Sequence, residues 1–150
     1  MKFRGFEDII QFAIQREEEA AKGYGDMVKI ATDEAAKKLL LDLKEEETNH
    51  KRILQGVTTA KIEASATKDV KDLKISDYLV EEPLGPAMNF QDLLVFAAKK
   101  EKKAVELYTD LAKRSKTKGQ KKLLEFLAKQ EKTHKLRLEL EYEKHVLWED

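Results

Sequence analysis

Apolar residues recur along this chain every three or four positions, not every second one. Phe6, Ile9, Ile10, Ala13, Ala20 and Tyr24 fall on one face at 3.6 residues per turn, which predicts a helix over about 6–30. Thr32 and Asp33 can cap a second helix that runs through Ala36, Leu39, Leu40, Leu43, Ile53 and Leu54 to Gly56. Asn89, with Asp92 three residues later, marks the start of a third, through Leu93, Phe96, Ala97, Ala104, Leu107 and Leu111. Thr117 and Gln120 have the spacing of a capping box and open a fourth, through Leu123, Leu124, Leu127, Leu138 and Leu140 to about 146.

Only a few residues separate the first helix from the second and the third from the fourth, so each pair is expected to fold back as an antiparallel hairpin, over 6–56 and 89–146. Segment 57–88 is long enough to run the length of a bundle and contains Pro83, Gly85 and Pro86. Within it Val70, Leu73, Ile75, Tyr78 and Leu79 offer apolar groups that can pack on the helices. The expectation is a single all-α domain over 1–150, a four-helix bundle running up, down, down, up with a long crossover between helices two and three.

Composition narrows the chemistry. Among 150 residues there is no cysteine, so thiolate clusters, zinc ribbons and cysteine nucleophiles are excluded, and any metal must be held by oxygen and imidazole. Lys plus Arg number 29 and Asp plus Glu 29, which leaves no net field to attract a polyanion. Lys37-Lys38, Lys99-Lys100, Lys102-Lys103 and Lys121-Lys122 read as solvated helix faces, so no nucleic-acid partner is expected. No stretch is apolar enough to span a membrane, and the N-terminus meets acids before any apolar run, so a soluble, cytoplasmic protein is expected.

The chain also repeats. An offset of 84 residues (101 − 17, 131 − 47 and 134 − 50) superposes Glu17 on Glu101, Glu47 on Glu131 and His50 on His134. The same offset aligns Phe12 with Phe96, Ala20 with Ala104, Tyr24 with Tyr108 and Leu43 with Leu127. Each copy thus carries Glu-x-x-Ala-x-x-x-Tyr on its first helix and Glu-x-x-His on its second. A step of three residues turns about 300° around a helix, so Glu47 and His50 share a face, as do Glu131 and His134. A step of seven places Tyr24 on the face of Glu17 and Tyr108 on that of Glu101, where each hydroxyl can donate to a carboxylate.

One Glu-x-x-His on a Glu-rich helix carries little weight, since most such acids are solvated. Two copies in repeat register carry much more. His145 has no glutamate at that spacing and is expected to be a solvated surface histidine. Four glutamates and two histidines in a bundle form the donor set of di-iron and di-manganese carboxylate sites, and two divalent cations would balance the four carboxylate charges. Imidazole and carboxylate also suit zinc, so manganese or zinc stays open beside iron.

With FAIQREEEAAKGY, EEETNHKRIL, FAAKKEKKAVELY and AKQEKTHKLRL in order, the sequence resembles the ferritin-like superfamily and, within it, the di-iron domain of the rubrerythrins. The resemblance implies two iron ions. Glu17 and Glu101 would be terminal or bridging carboxylates, Glu47 and Glu131 bridging ones, and His50 and His134 would each cap one ion. It further implies an oxidoreductase that reduces peroxide or dioxygen; with no cysteine for a rubredoxin iron, its electrons would come from an external rubredoxin-type donor. Many rubrerythrins place a second glutamate one turn beyond the helix-three ligand, where this chain has Ala104. The alternative is therefore an iron-buffering protein of ferroxidase type with no dedicated organic substrate. A homodimer is expected from the exposed amphipathic helices.

Overall fold

A computed structural model describes residues 6–56 and 89–149. They form four helices, α1 (Phe6–Val28), α2 (Glu34–Gln55), α3 (Phe90–Arg114) and α4 (Lys118–Glu149). The expected crossover over 57–88 lies outside the described residues, as does any packing of Val70, Leu73, Ile75, Tyr78 and Leu79. The described helices belong to two compact units, one holding α1 and α2 and the other α3 and α4.

The capping chemistry sets the boundaries. Asp33 adopts an extended backbone and its carboxylate accepts from the Ala36 N–H at 2.7 Å, which starts α2. To serve this cap the chain must leave α1 early. α1 therefore stops at Val28, two residues short of the expected end, and Ile30 lies half in solvent. Asn89 and Asp92 form a complete capping box at α3, with bonds of 2.9 and 3.2 Å in the two directions. At α4 only half of the expected box exists. The Gln120 N–H donates to Thr117 Oγ1 at 3.2 Å, but the Gln120 side chain is buried and neither of its polar atoms makes a hydrogen bond. Gln120 is drawn inward because it occupies the first position of the buried seam of α4.

That seam is regular. On α4 the seam is Gln120, Leu124, Leu127, Glu131, His134, Leu138 and Glu141, spaced alternately by four and three residues, with Ala128 buried beside it. On α2 it is Ala36, Leu40, Leu43, Glu47, His50 and Leu54, with the same alternation. Ile53 and Leu140, expected as core residues, each sit one position off this seam and are 38% and 50% exposed; Leu39 and Leu123 are half-buried. Leu40, Leu43, Leu54, Leu124, Leu127 and Leu138 are fully buried, each contributing about 1.5–3 kcal/mol of transfer free energy.

Both hairpins are antiparallel. In the first, Arg16 and Glu17 of α1 meet Glu47 and His50 of α2. In the second, Glu101 of α3 meets His134 of α4, and eleven residues before Glu101 the Phe90 ring meets His145, eleven residues after His134. His145 is thus not the solvated histidine expected. Its Nε2 lies 3.2 Å from Glu141 Oε1 and its ring packs edge-on against Phe90, with centroids 5.0 Å apart. No helix among the described residues is long and apolar enough to cross a membrane.

Candidate metal centre

Each candidate ligand glutamate occupies a seam position, where an aliphatic side chain would otherwise be expected. In the run Glu17, Glu18, Glu19 only Glu17 is buried, and in Glu45, Glu46, Glu47 only Glu47 is. Glu17, Glu47 and Glu131 are 0% exposed, Glu101 and His134 are 1% or less, and His50 is 3%. Burying carboxylates at this depth costs several kcal/mol per ion unless something compensates the charge.

In the first hairpin His50 Nδ1 lies 3.6 Å from Glu17 Oε2 and 3.6 Å from Glu47 Oε1. In the second, His134 Nδ1 lies 3.8 Å from Glu101 Oε2 and 3.8 Å from Glu131 Oε1. The same atoms recur in the same roles, and none of these six makes a hydrogen bond. Separations of 3.6 to 3.8 Å are beyond hydrogen bonding. They are close to those of donor atoms sharing one ion: at about 2.1 Å from a metal and angles of 90 to 120°, two ligand atoms are roughly 3.0 to 3.6 Å apart. Glu17, Glu47 and His50, and likewise Glu101, Glu131 and His134, each offer ligand atoms within 4.8 Å of one another. The donor set, two carboxylates and one imidazole per hairpin, suits iron, manganese or zinc.

All six expected ligands thus fall into two groups of three, one in each hairpin. Tyr24 and Tyr108 are buried as well, two turns beyond Glu17 and Glu101 on the same seams. Ala104 is buried one turn from Glu101 and Ala20, its repeat mate, is half-buried. Two residues escaped the sequence reading. Arg16 Nη1 donates to Glu47 Oε2 at 2.6 Å and lies 3.3 Å from Glu17 Oε1. Its adjacency to a ligand was visible, but nothing in helical periodicity distinguishes it from the many exposed cations. Glu141 is buried beside His145, and the four-three alternation through Glu131, His134 and Leu138 does point to it.

No protein-family model matches the sequence, and no curated protein matches it. Two solved structures are similar over nearly the whole chain. A hypothetical protein from Pyrococcus furiosus is 25% identical, with a TM-score of 0.73 over 95% of this chain and 90% of its own. A Thermotoga maritima protein described as a candidate ferritin-like diiron-carboxylate protein is 21% identical, with a TM-score of 0.73 over 97% of this chain and 99% of its own. The fold of this chain is accordingly all-α, a four-helix bundle of ferritin-like type.

Proposed function

We propose that this is a di-iron carboxylate protein, with one ion on each Glu-His-Glu group, acting as a rubrerythrin-type oxidoreductase on peroxide or dioxygen. The observation that carries the proposal is the duplicated arrangement of Nδ1, Oε2 and Oε1, buried and free of hydrogen bonds at those atoms in both hairpins. The ferritin-like fold adds support, since the Thermotoga neighbour is described as a diiron-carboxylate protein.

Bound iron would supply the two-electron redox chemistry. The protein's part is to present the Nδ1 atoms of His50 and His134 as neutral donors, and to hold the carboxylates of Glu17, Glu47, Glu101 and Glu131 where helix packing fixes their rotamers. Burial of these groups limits the access of water. The hydroxyls of Tyr24 and Tyr108 steady the ligand carboxylates by hydrogen bonding. Electrons come from a donor outside these 150 residues, of rubredoxin type, since no cysteine is present to hold a thiolate iron.

One observation favours the second reading, iron buffering of ferroxidase type. Ala104 is buried where many rubrerythrins have an additional carboxylate. Ala104→Glu should raise peroxide turnover if the missing carboxylate limits the reaction. The test of the proposal is metal analysis with anaerobic Fe(II) titration, in which two ions per chain are expected for the parent and one for either His50→Ala or His134→Ala. Reduced protein supplied with a rubredoxin-type donor should consume peroxide; Fe(II) oxidation without peroxide consumption selects the buffering reading. A parent that binds no metal contradicts both.

A further inference from the structure

In each hairpin two carboxylates would already be balanced by one divalent cation, so the charge of Arg16 is in excess. It is a fixed positive charge, 14% exposed, with Nη1 2.6 Å from Glu47 Oε2 and 3.3 Å from Glu17 Oε1. These are the outer oxygens. The inner ones, Glu17 Oε2 and Glu47 Oε1, face His50 Nδ1. Each carboxylate of the first hairpin is therefore divided, one oxygen toward a guanidinium and the other toward the imidazole. The repeat aligns Arg16 with Lys100, but the two differ in setting: Lys100 is exposed and its ammonium lies 4.8 Å from the centre of the Phe96 ring.

Resting on the metal reading above, we infer that Arg16 is a placeholder cation of the α1–α2 Glu-His-Glu group, holding Glu17 and Glu47 in ligand register before an ion arrives and competing with that ion for their charge. A guanidinium suits this task because it cannot lose its proton, and here its Nη1 reaches both carboxylates at once. By neutralising one of two buried charges it lowers the cost of keeping the pair folded without metal. The same charge repels an incoming cation at short range, where the effective dielectric is low. The long side chain is partly exposed, which gives the guanidinium a route to withdraw.

A purely structural arginine and a placeholder make opposite predictions for metal affinity. If Arg16 only anchors the ligands, its loss lowers metal-free stability and metal affinity together. If it is a placeholder, Arg16→Gln lowers the unfolding temperature of the metal-free protein by roughly 2 to 8 °C and tightens Fe(II) binding at the first hairpin on the order of tenfold. Arg16→Lys keeps the charge without the guanidinium and should fall between parent and Arg16→Gln on both readouts, which also serves if Arg16→Gln does not fold. The experiment is thermal unfolding of the metal-free full chain and anaerobic Fe(II) titration of parent and both variants. Weaker or unchanged Fe(II) binding by the variants, with the parent still binding two ions, overturns the competition alone. An unchanged metal-free unfolding temperature overturns the holding role. A parent that binds no Fe(II) overturns both the metal reading and the competition.

Discussion

The two hairpins are copies of one ligand arrangement in two different settings. The distances within the Glu-His-Glu group are 3.6 Å in the first and 3.8 Å in the second, and the same oxygen and nitrogen atoms take part in both. Around them the copies diverge. In the first, Arg16 is bonded to a ligand carboxylate, whereas in the second the aligned Lys100 lies over an aromatic ring. α2 has 22 residues and ends at Gln55, while α4 has 32 and continues into the Glu141, His145 and Phe90 cluster. The ligand register is tied to the core packing of each helix, because ligands and leucines share one seam. The charges beside that seam are not so constrained and have changed between the copies.

If the two copies pack their own cores alike, equivalent truncations should cost equivalent amounts. Leu43 and Leu127, aligned by the repeat and both 0% exposed, should each cost about 2–5 kcal/mol when changed to Ala. Denaturant unfolding of the metal-free variants measures this. Values that differ by more than that range would show that one hairpin relaxes around the cavity and the other does not.

A smaller effect sharpens the difference. Glu47→Gln removes the charge that Arg16 bonds at 2.6 Å, so the metal-free protein should lose about 1–3 kcal/mol. A stability unchanged by that substitution would show that relief of a buried negative charge offsets the lost Arg16 contact. Comparable in size, but read in metal affinity, is the effect expected of the tyrosines. Tyr24→Phe and Tyr108→Phe should keep the fold and weaken metal affinity by about 10- to 100-fold, each at its own hairpin. Unchanged affinity in both would reduce the two rings to core packing.

Much of this was legible in the sequence, for reasons that particular residues make plain. Asp33, Asn89 and Asp92 are cap residues whose side chains act on backbone a few positions away, so local sequence suffices to place the starts of α2 and α3. The six buried Glu and His residues of the two groups were legible through the repeat, since helical spacing alone cannot tell Glu17 from Glu18 or Glu19. What was not legible depends on tertiary neighbours. Whether Gln120 turns back to its own helix or inward depends on the seam it occupies. Ile53 and Leu140 are as apolar as the leucines beside them, and only helix rotation decides that Leu54 and Leu138 are buried instead. His145 finds its partners on α3 and on its own helix only once the second hairpin has closed. The Arg16 contact likewise joins residues 31 apart in sequence.

The most direct test of the metal centre is thermal unfolding with and without Fe(II), under anaerobic conditions, of the parent and of the Glu47→Gln, Glu131→Gln double variant. Binding to the folded state alone stabilises by RT ln(1 + [L]/Kd), so the parent should gain about 4 kcal/mol when free metal is a thousandfold over Kd. The double variant, with one carboxylate neutralised in each hairpin, should gain almost nothing. A double variant that responds to Fe(II) as strongly as the parent would contradict the assignment of Glu47 and Glu131 as ligands, and with it the reading of each hairpin's Glu-His-Glu group as an ion site.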